Sequence, residues 1–241
     1  MQHDTLPLPS FNRHHFFSGL KYAFLPLYCA VVLSLLIDQT LNLKIETLLR
    51  SSEGFSQSLW LWGGLSLLSS LLFPGLLTLF CCFFITEKIK GLSVIELFPF
   101  LKNNFEMTFL ESVRAWAFMF LWFFALFLPL LYKFISYALT PFVVVYSKKY
   151  AHGEVDALKA SEKVSREFFL KLFFLLLTFY VLLPSISTLV FDEYKVFRFH
   201  PLQALLVAIT DTVFIYIIHF FILNLFFKSG YFKGEQNGTD V

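Results

Sequence analysis

Long stretches without a charged side chain alternate with short charged segments along the chain. These stretches cover 22–37, 54–86, 115–132, 134–147, 172–191 and 199–227, the last broken only by Asp211. A helix needs about 20 mostly apolar residues to cross the roughly 30 Å hydrocarbon core of a bilayer. The pattern predicts an all-α fold, a polytopic membrane helix bundle with about six transmembrane helices. We interpret 22–37 as a retained first span, because no small-residue cleavage site follows it.

The stretch 134–147 is too short to assign by length alone, and it contains Pro141. Positive charge can decide whether it crosses, because cytoplasmic segments are enriched in lysine and arginine. If it crosses, 14 of the 19 basic residues lie inside and 5 lie outside; if 115–147 is one bent span, the split is 8 to 10. We therefore predict six spans, with a tight outer hairpin near 129–133 in which Lys133 reaches outward.

The same pattern divides the chain into three parts. Residues 1–21 are expected to form an interfacial leader, 22–228 the six-span membrane domain, and 229–241 a disordered cytoplasmic tail. With both termini inside, the predicted location is the bacterial cytoplasmic membrane, with the lipid bilayer as the first partner.

Two segments between the spans have the amphipathic pattern of interfacial helices on the cytoplasmic face. The first is 87–114, where short helices lead into the third span. Ser93 and Glu96 have the spacing of a capping box at the start of a helix.

The second amphipathic segment is a helix over 154–168 that follows a turn at Gly153. Its polar side carries Lys159, Lys163 and Arg166, with Glu162 placed to pair with Arg166 one turn later. One interpretation is a docking surface for a protein partner or for anionic lipid headgroups. The alternative is a solvated helix that returns the chain to the next span, which the alternation of acidic and basic residues favours.

The order of features between Gly91 and Pro184 resembles a known pattern. It contains Gly-x-Ser at 91–93, the pair Leu97-Phe98, a run that opens at Pro129, and Asp156-Ala157-Leu158 followed by Ser161. This order is similar to a bacterial integral-membrane family of unknown function, loosely similar to the membrane domain fused to some glycerophosphodiester phosphodiesterases. That family has Pro-Gly where this chain has Pro129-Leu130. The resemblance implies six spans and no catalytic residues.

Composition excludes several classes of protein. Apolar residues make up 57% of the chain and charged residues 15%, against about 45–50% and about 25% in soluble domains. Disordered chains, secreted disulfide scaffolds and nucleic-acid-binding domains have different compositions. Cys29, Cys81 and Cys82 lie in apolar runs without a CxxC motif or a histidine at ligand spacing, so we expect no disulfide, metal or cofactor.

Asp211 and His219 are the ionisable residues inside the last span. Such residues are costly in a bilayer and are candidates for function. On a helix they lie about 80° apart, so they could form a polar path for protons, a cation or a lipid headgroup. Alternatively, Asp211 caps a shorter helix that begins near Thr212. A further alternative is that both residues find partners on other spans, such as Asp38, Lys133 or a serine or threonine hydroxyl.

Two functions remain open. The first is a non-enzymatic module that organises lipids or a cytoplasmic protein partner through 92–110 and 154–168. The second is a small transporter or lipid translocase that uses Asp211 and His219. We predict no enzymatic activity, because the chain lacks a glycine-rich phosphate loop, HExxH and GxSxG.

Overall fold

The computed structural model describes residues 13–51, 57–87, 93–123, 127–191 and 193–231, and these residues form helices and no strand. The α-helices are α1 (Arg13–Arg50), α2 (Gln57–Cys82), α3 (Leu97–Phe123), α4 (Phe127–Tyr137), α5 (Thr140–Tyr146), α6 (Lys148–Ala151), α7 (Ala157–Glu167), α8 (Phe169–Leu176), α9 (Leu183–Phe191) and α10 (Pro201–Lys228). A π-helical turn, Phe83–Glu87, continues α2, and a second one, Leu177–Leu182, joins α8 to α9. Short 3-10 turns lie at Val94–Glu96 and Glu193–Lys195.

Five helical segments in the described ranges are long and apolar enough to cross a membrane. They are His15–Arg50, Gln57–Thr86, Pro129–Tyr146, Phe169–Phe191 and Pro201–Lys228. The prediction of an all-α membrane bundle is confirmed, and the chain is a multi-pass membrane protein.

The predicted span 115–132 is not among these five segments. The structure divides it between the end of α3 and the start of α4, and the boundary at 124–126 lies outside the described residues. Helix α3 also begins far earlier, at Leu97, so the charged part of the first amphipathic segment and the apolar stretch after it form one helix. A charge-free run measures apolarity, but it does not locate a helix end.

Helix α1 packs along both α2 and α10, and it runs antiparallel to each of them. The Tyr216 hydroxyl donates to the Phe16 carbonyl at 3.1 Å, and the Tyr28 hydroxyl donates to the Leu205 carbonyl at 3.2 Å. The ring of Phe16 also packs edge-on against Phe220, with ring centroids 5.1 Å apart. Helix α1 is continuous from Arg13 through the first span, so the described part of the predicted leader 1–21 is not a separate interfacial helix. Phe16, within this stretch, is partly buried and packs against the main core.

A break between α4 and α5 lies where Pro141 stands. Proline has no backbone N–H to donate to the residue four positions earlier, and its ring excludes a regular helix there. Helix α4 therefore ends at Tyr137, two turn residues follow, and α5 starts at Thr140 with Pro141 in its first turn. Leu139 and Phe142, on either side of the break, are buried in the main core.

Helix α7 confirms the second amphipathic prediction in its local detail. Gly153 has a φ of 75°, a left-handed conformation that glycine adopts without steric cost. The Asp156 carboxylate accepts from the backbone N–H groups of Leu158 and Lys159 and caps the helix. Glu162 and Arg166 form the expected pair at 2.9 Å. At the other segment, the Glu96 carboxylate accepts from the Ser93 N–H at 2.6 Å, as the capping-box spacing predicts.

The position of α7 differs from the prediction, because its apolar side is built into the bundle. Ser161 and Ser165 both donate to the Ser136 carbonyl of α4, at 2.7 and 3.0 Å. The Lys133 ammonium lies 3.0 Å from the Glu162 carboxylate. The predicted six-span topology placed Lys133 on the outer side of the membrane and Glu162 on the cytoplasmic side. Their contact shows that the predicted outer hairpin at 129–133 is wrong.

The described start of the predicted tail is also packed. Ser229 is fully buried and Tyr231 is nearly so, and the Gly230 N–H donates to the Glu167 carboxylate at 2.9 Å. The disorder predicted over 229–241 is therefore wrong for 229–231, and 232–241 lies outside the described residues.

Candidate binding cavity in the membrane domain

A cavity of about 330 Å³ lies between α1, α9 and α10. Apolar side chains from these helices and from Leu77 of α2 form most of its wall. Six of its lining residues carry polar groups, and they are Ser34, Tyr180, Ser187, Lys195, Asp211 and His219. Both residues predicted as an intramembrane path therefore face the same cavity.

Asp211 lies in the interior of α10. The helix begins ten residues earlier, at Pro201, so Asp211 does not cap a shorter helix that starts near Thr212. Within the described part of the chain, its carboxylate makes neither a hydrogen bond nor an ion pair, and it interacts with Lys195 only at longer range. Asp38, which we considered as a possible partner, instead accepts from the Ser69 hydroxyl at 2.9 Å.

His219 has a structural role further along the same helix. Its Nδ1 lies 2.7 Å from the Ile215 carbonyl, which can only accept, so Nδ1 carries the proton. Its Nε2 lies 3.0 Å from the Thr78 hydroxyl of α2. The Thr78 hydroxyl has one proton, which it donates to the Pro74 carbonyl at 2.8 Å, and Nε2 of the neutral ring competes with that carbonyl for the same proton. His219 thus ties α10 to α2, and its ring packs edge-on against Phe142.

Asp211 and His219 share the cavity but not a chemical centre. Eight residues at 1.5 Å each separate them by about 12 Å along the helix axis. Neither side chain can therefore hydrogen-bond to the other or act with it on a single bond. They are better described as two points on one wall.

Lys195, which lies in the segment between α9 and α10, is a cavity residue that the sequence analysis did not single out. Its backbone is held by Gln39 of α1, whose amide nitrogen donates to the Lys195 carbonyl at 2.8 Å. The Gln39 amide oxygen accepts from the Phe197 N–H at 3.0 Å. This double contact fixes the loop against α1 and lets the long lysine side chain reach the cavity. No sequence pattern indicates the two hydrogen bonds of Gln39, and none indicates that Lys195 lines the same cavity as Asp211.

Ser187 is a second residue that sequence reasoning missed. It is only 7% exposed, and its hydroxyl has no hydrogen-bond partner among the described residues. Buried hydroxyls are nearly always hydrogen-bonded, because leaving one unpaired costs about 1–3 kcal/mol. Ser187 is a lining residue of the cavity, but its hydroxyl oxygen is buried beneath the cavity surface rather than exposed in it.

The basic residues of α7 lie outside this cavity. Lys159, Lys163 and Arg166 are exposed, and their spacing of four and three residues places them on one side of the helix. Glu162 is held on the other flank by Lys133 and Arg166. Burial raises its pKa, but the hydrogen bonds from these two cations outweigh that effect and leave the pKa of Glu162 below its ordinary value.

Comparison with known proteins adds no relative. No protein-family model, no curated protein and no solved structure matches the chain. The resemblance to a membrane family of unknown function therefore stays a prediction.

Proposed function

We propose that this protein binds a small polar or amphipathic molecule in the membrane and moves it, as a small transporter or lipid translocase. The observation that carries the proposal is the position of Asp211, whose unpaired carboxylate lines a cavity between helices. A charged aspartate at the centre of a membrane helix costs about 2.5–3.5 kcal/mol for insertion. A side chain that is costly, unpaired and cavity-lining is well placed to bind a ligand.

The proposed role is non-enzymatic. With Asp211 and His219 about 12 Å apart along α10, the cavity offers single polar contacts rather than an acid and a base beside one bond. His219 is already occupied by Thr78 and Ile215. We assign Asp211 to ligand binding and His219 to positioning α2 against α10.

The test is flux in proteoliposomes with an isosteric pair of variants. Asp211→Asn removes the charge in the cavity, whereas Asp38→Asn makes the same chemical change at a carboxylate that has its own partner, Ser69. We expect Asp211→Asn to lose substrate-dependent or proton-coupled flux and Asp38→Asn to retain it. Full flux in the Asp211 variant, or equal loss in both, would contradict the proposal.

We also propose that the protein lies in a bacterial cytoplasmic membrane with both termini inside. The antiparallel packing of α1 on α10, through the Phe16–Tyr216 and Tyr28–Leu205 contacts, supports placing the start of α1 and the end of α10 at the same side. The excess of basic residues in the segments at that side supports the cytoplasmic assignment. Protease accessibility of tags at each terminus, in inverted and right-side-out vesicles, tests it.

A second candidate is the lipid- or partner-organising module. Its support is the shared exposed side of Lys159, Lys163 and Arg166, which is suited to anionic headgroups or an acidic partner surface. Replacing all three with glutamine should reduce both the anionic lipid and the proteins that co-purify. The matched control neutralises the three exposed cations Lys44, Arg50 and Arg198. Unchanged co-purification in the α7 variant would count against the module.

A further inference from the structure

Opposite charges share the cavity without touching. Asp211 and Lys195 both line it, but they make no ion pair with each other. Two opposite charges in a low-dielectric space attract strongly, and a purely structural pair would close to hydrogen-bond distance. A ligand that bridges the two charges must itself carry a cation and an anion.

The cavity reaches the lipid-facing surface on the side of α9. Tyr180 and Pro184 line the cavity and are exposed, and the neighbouring apolar Leu189 is 86% exposed. All three residues belong to the candidate span Phe169–Phe191, so their exposed surfaces face hydrocarbon. A ligand can therefore enter laterally from the bilayer to reach Asp211 and Lys195.

The size of the cavity sets how much of a lipid can enter. Its volume of about 330 Å³ is at the lower end of the range for small-molecule sites, about 300–1,000 Å³. That space suits a headgroup but not two acyl chains. The chains would stay in the bilayer, beyond the opening at Tyr180 and Pro184.

The hydrogen-bonding groups indicate which end of the headgroup lies where. The Asp211 carboxylate can only accept, and it lacks donors in the described part of the chain. A primary ammonium supplies three donors, whereas a quaternary ammonium supplies none. The Lys195 ammonium can donate to a phosphate.

We infer that the cavity binds the zwitterionic headgroup of a membrane lipid with a primary ammonium, such as a phosphoethanolamine lipid. The ammonium lies at Asp211, and the phosphate lies at Lys195. This inference rests on the proposed function only in taking the cavity as a ligand site, and it names the class of ligand.

The experiment measures ligand-induced thermal stabilisation of the full chain in detergent, because a ligand that binds only the folded state raises the midpoint of denaturation. The probes are short-chain lipids with phosphoethanolamine, phosphocholine or phosphoglycerol headgroups, together with free phosphoethanolamine. Each probe is titrated against the parent protein and the variants Asp211→Asn, Lys195→Gln and Asp38→Asn.

We expect the phosphoethanolamine lipid to stabilise the parent protein at the lowest concentration. Asp211→Asn and Lys195→Gln should each weaken that binding by roughly 30-fold or more, as expected when one partner of a buried charged contact is removed. Asp38→Asn should bind like the parent. Lys195→Gln should also weaken the response to phosphoglycerol, which shares the phosphate, whereas Asp211→Asn should not.

Several outcomes would overturn the inference. Equal responses to the three lipids, or unchanged binding in both cavity variants, would exclude a zwitterion at this site. Binding of free phosphoethanolamine as tight as that of the lipid would exclude a lipid source. If flux requires Asp211 while headgroup binding does not, the inference fails and the proposed function stands. If binding requires Asp211 but no flux is detected, the inference stands and translocation fails.

Discussion

Replacing Ser161 and Ser165 together with alanine should weaken the attachment of α7 to the bundle by more than the two single changes predict. Both hydroxyls donate to the same acceptor, the Ser136 carbonyl, and both serines are fully buried. Ser136 lies in the last turn of α4, where helix carbonyls lack an intrahelical donor. The break before Pro141 thus leaves an acceptor whose side-chain donors, among the described residues, both come from α7.

The expected loss of unfolding free energy follows from counting the donors to the Ser136 carbonyl. A single Ser→Ala change removes one hydrogen bond, worth about 0.5–1.5 kcal/mol, and leaves the carbonyl with its other donor. The double change also leaves a buried carbonyl unpaired, which adds about 1–3 kcal/mol. The double variant should therefore lose about 1 kcal/mol or more beyond the sum of the single variants, a coupling expected for residues that share a partner.

The assay is the free energy of unfolding in mixed micelles titrated with a denaturing detergent, measured for the parent, both single variants and the double variant. Ser185→Ala is the control, because this serine is exposed on α9 and makes no side-chain hydrogen bond in the described part of the chain. Strict additivity of the two single effects, or a double variant as stable as the control, would refute the shared-acceptor explanation.

Three further predictions concern Asp211 in the cavity, the packing of α1 against α10, and the ion pair between Asp156 and Arg114. Asp211→Asn should raise the thermal midpoint, corresponding to about 1–3 kcal/mol, because it removes an unpaired carboxylate from the membrane; a lower midpoint would reveal a stabilising partner. Gly19→Ala should destabilise by about 1–3 kcal/mol, because the added methyl would collide with the Tyr216 hydroxyl, and Tyr216→Phe in the same chain should restore part of the loss. Burial raises the pKa of Asp156, but the hydrogen bond from Arg114 and two backbone N–H groups outweigh it, so the pKa lies below its ordinary value of 3.8. A carboxylate with a lowered folded pKa contributes stability above its unfolded pKa and loses it as the pH falls through the folded pKa, so Arg114→Met should flatten the drop in thermal midpoint below about pH 4.

The local features of this chain were predictable because each depends on neighbouring residues. The turn at Gly153, the cap formed by Glu96 on Ser93 and the pair Glu162–Arg166 all join residues within four positions of one another. Backbone geometry fixes such contacts once the helix exists. The apolar spans were predictable for a related reason, because the cost of exposing polar groups to hydrocarbon acts on each residue in turn.

The helix boundaries between 97 and 137 were not predictable from charge-free runs. Apolar residues at the end of one helix and the start of the next look alike, and only packing separates them. The contact between Lys133 and Glu162 contradicts the predicted hairpin. It joins residues 29 positions apart that the predicted topology had placed on opposite sides of the membrane.

The sequence by itself determined that this is an all-helical membrane protein, and it marked Asp211 as a charge within the last apolar stretch. Only the tertiary structure showed that Asp211 faces a cavity, that Lys195 and Ser187 line the same space, and that His219 is held by Thr78. The physical reason is the sequence separation over which each interaction acts. Hydrophobicity and helix geometry act along the chain, whereas a binding site is made by side chains that meet only when distant helices pack.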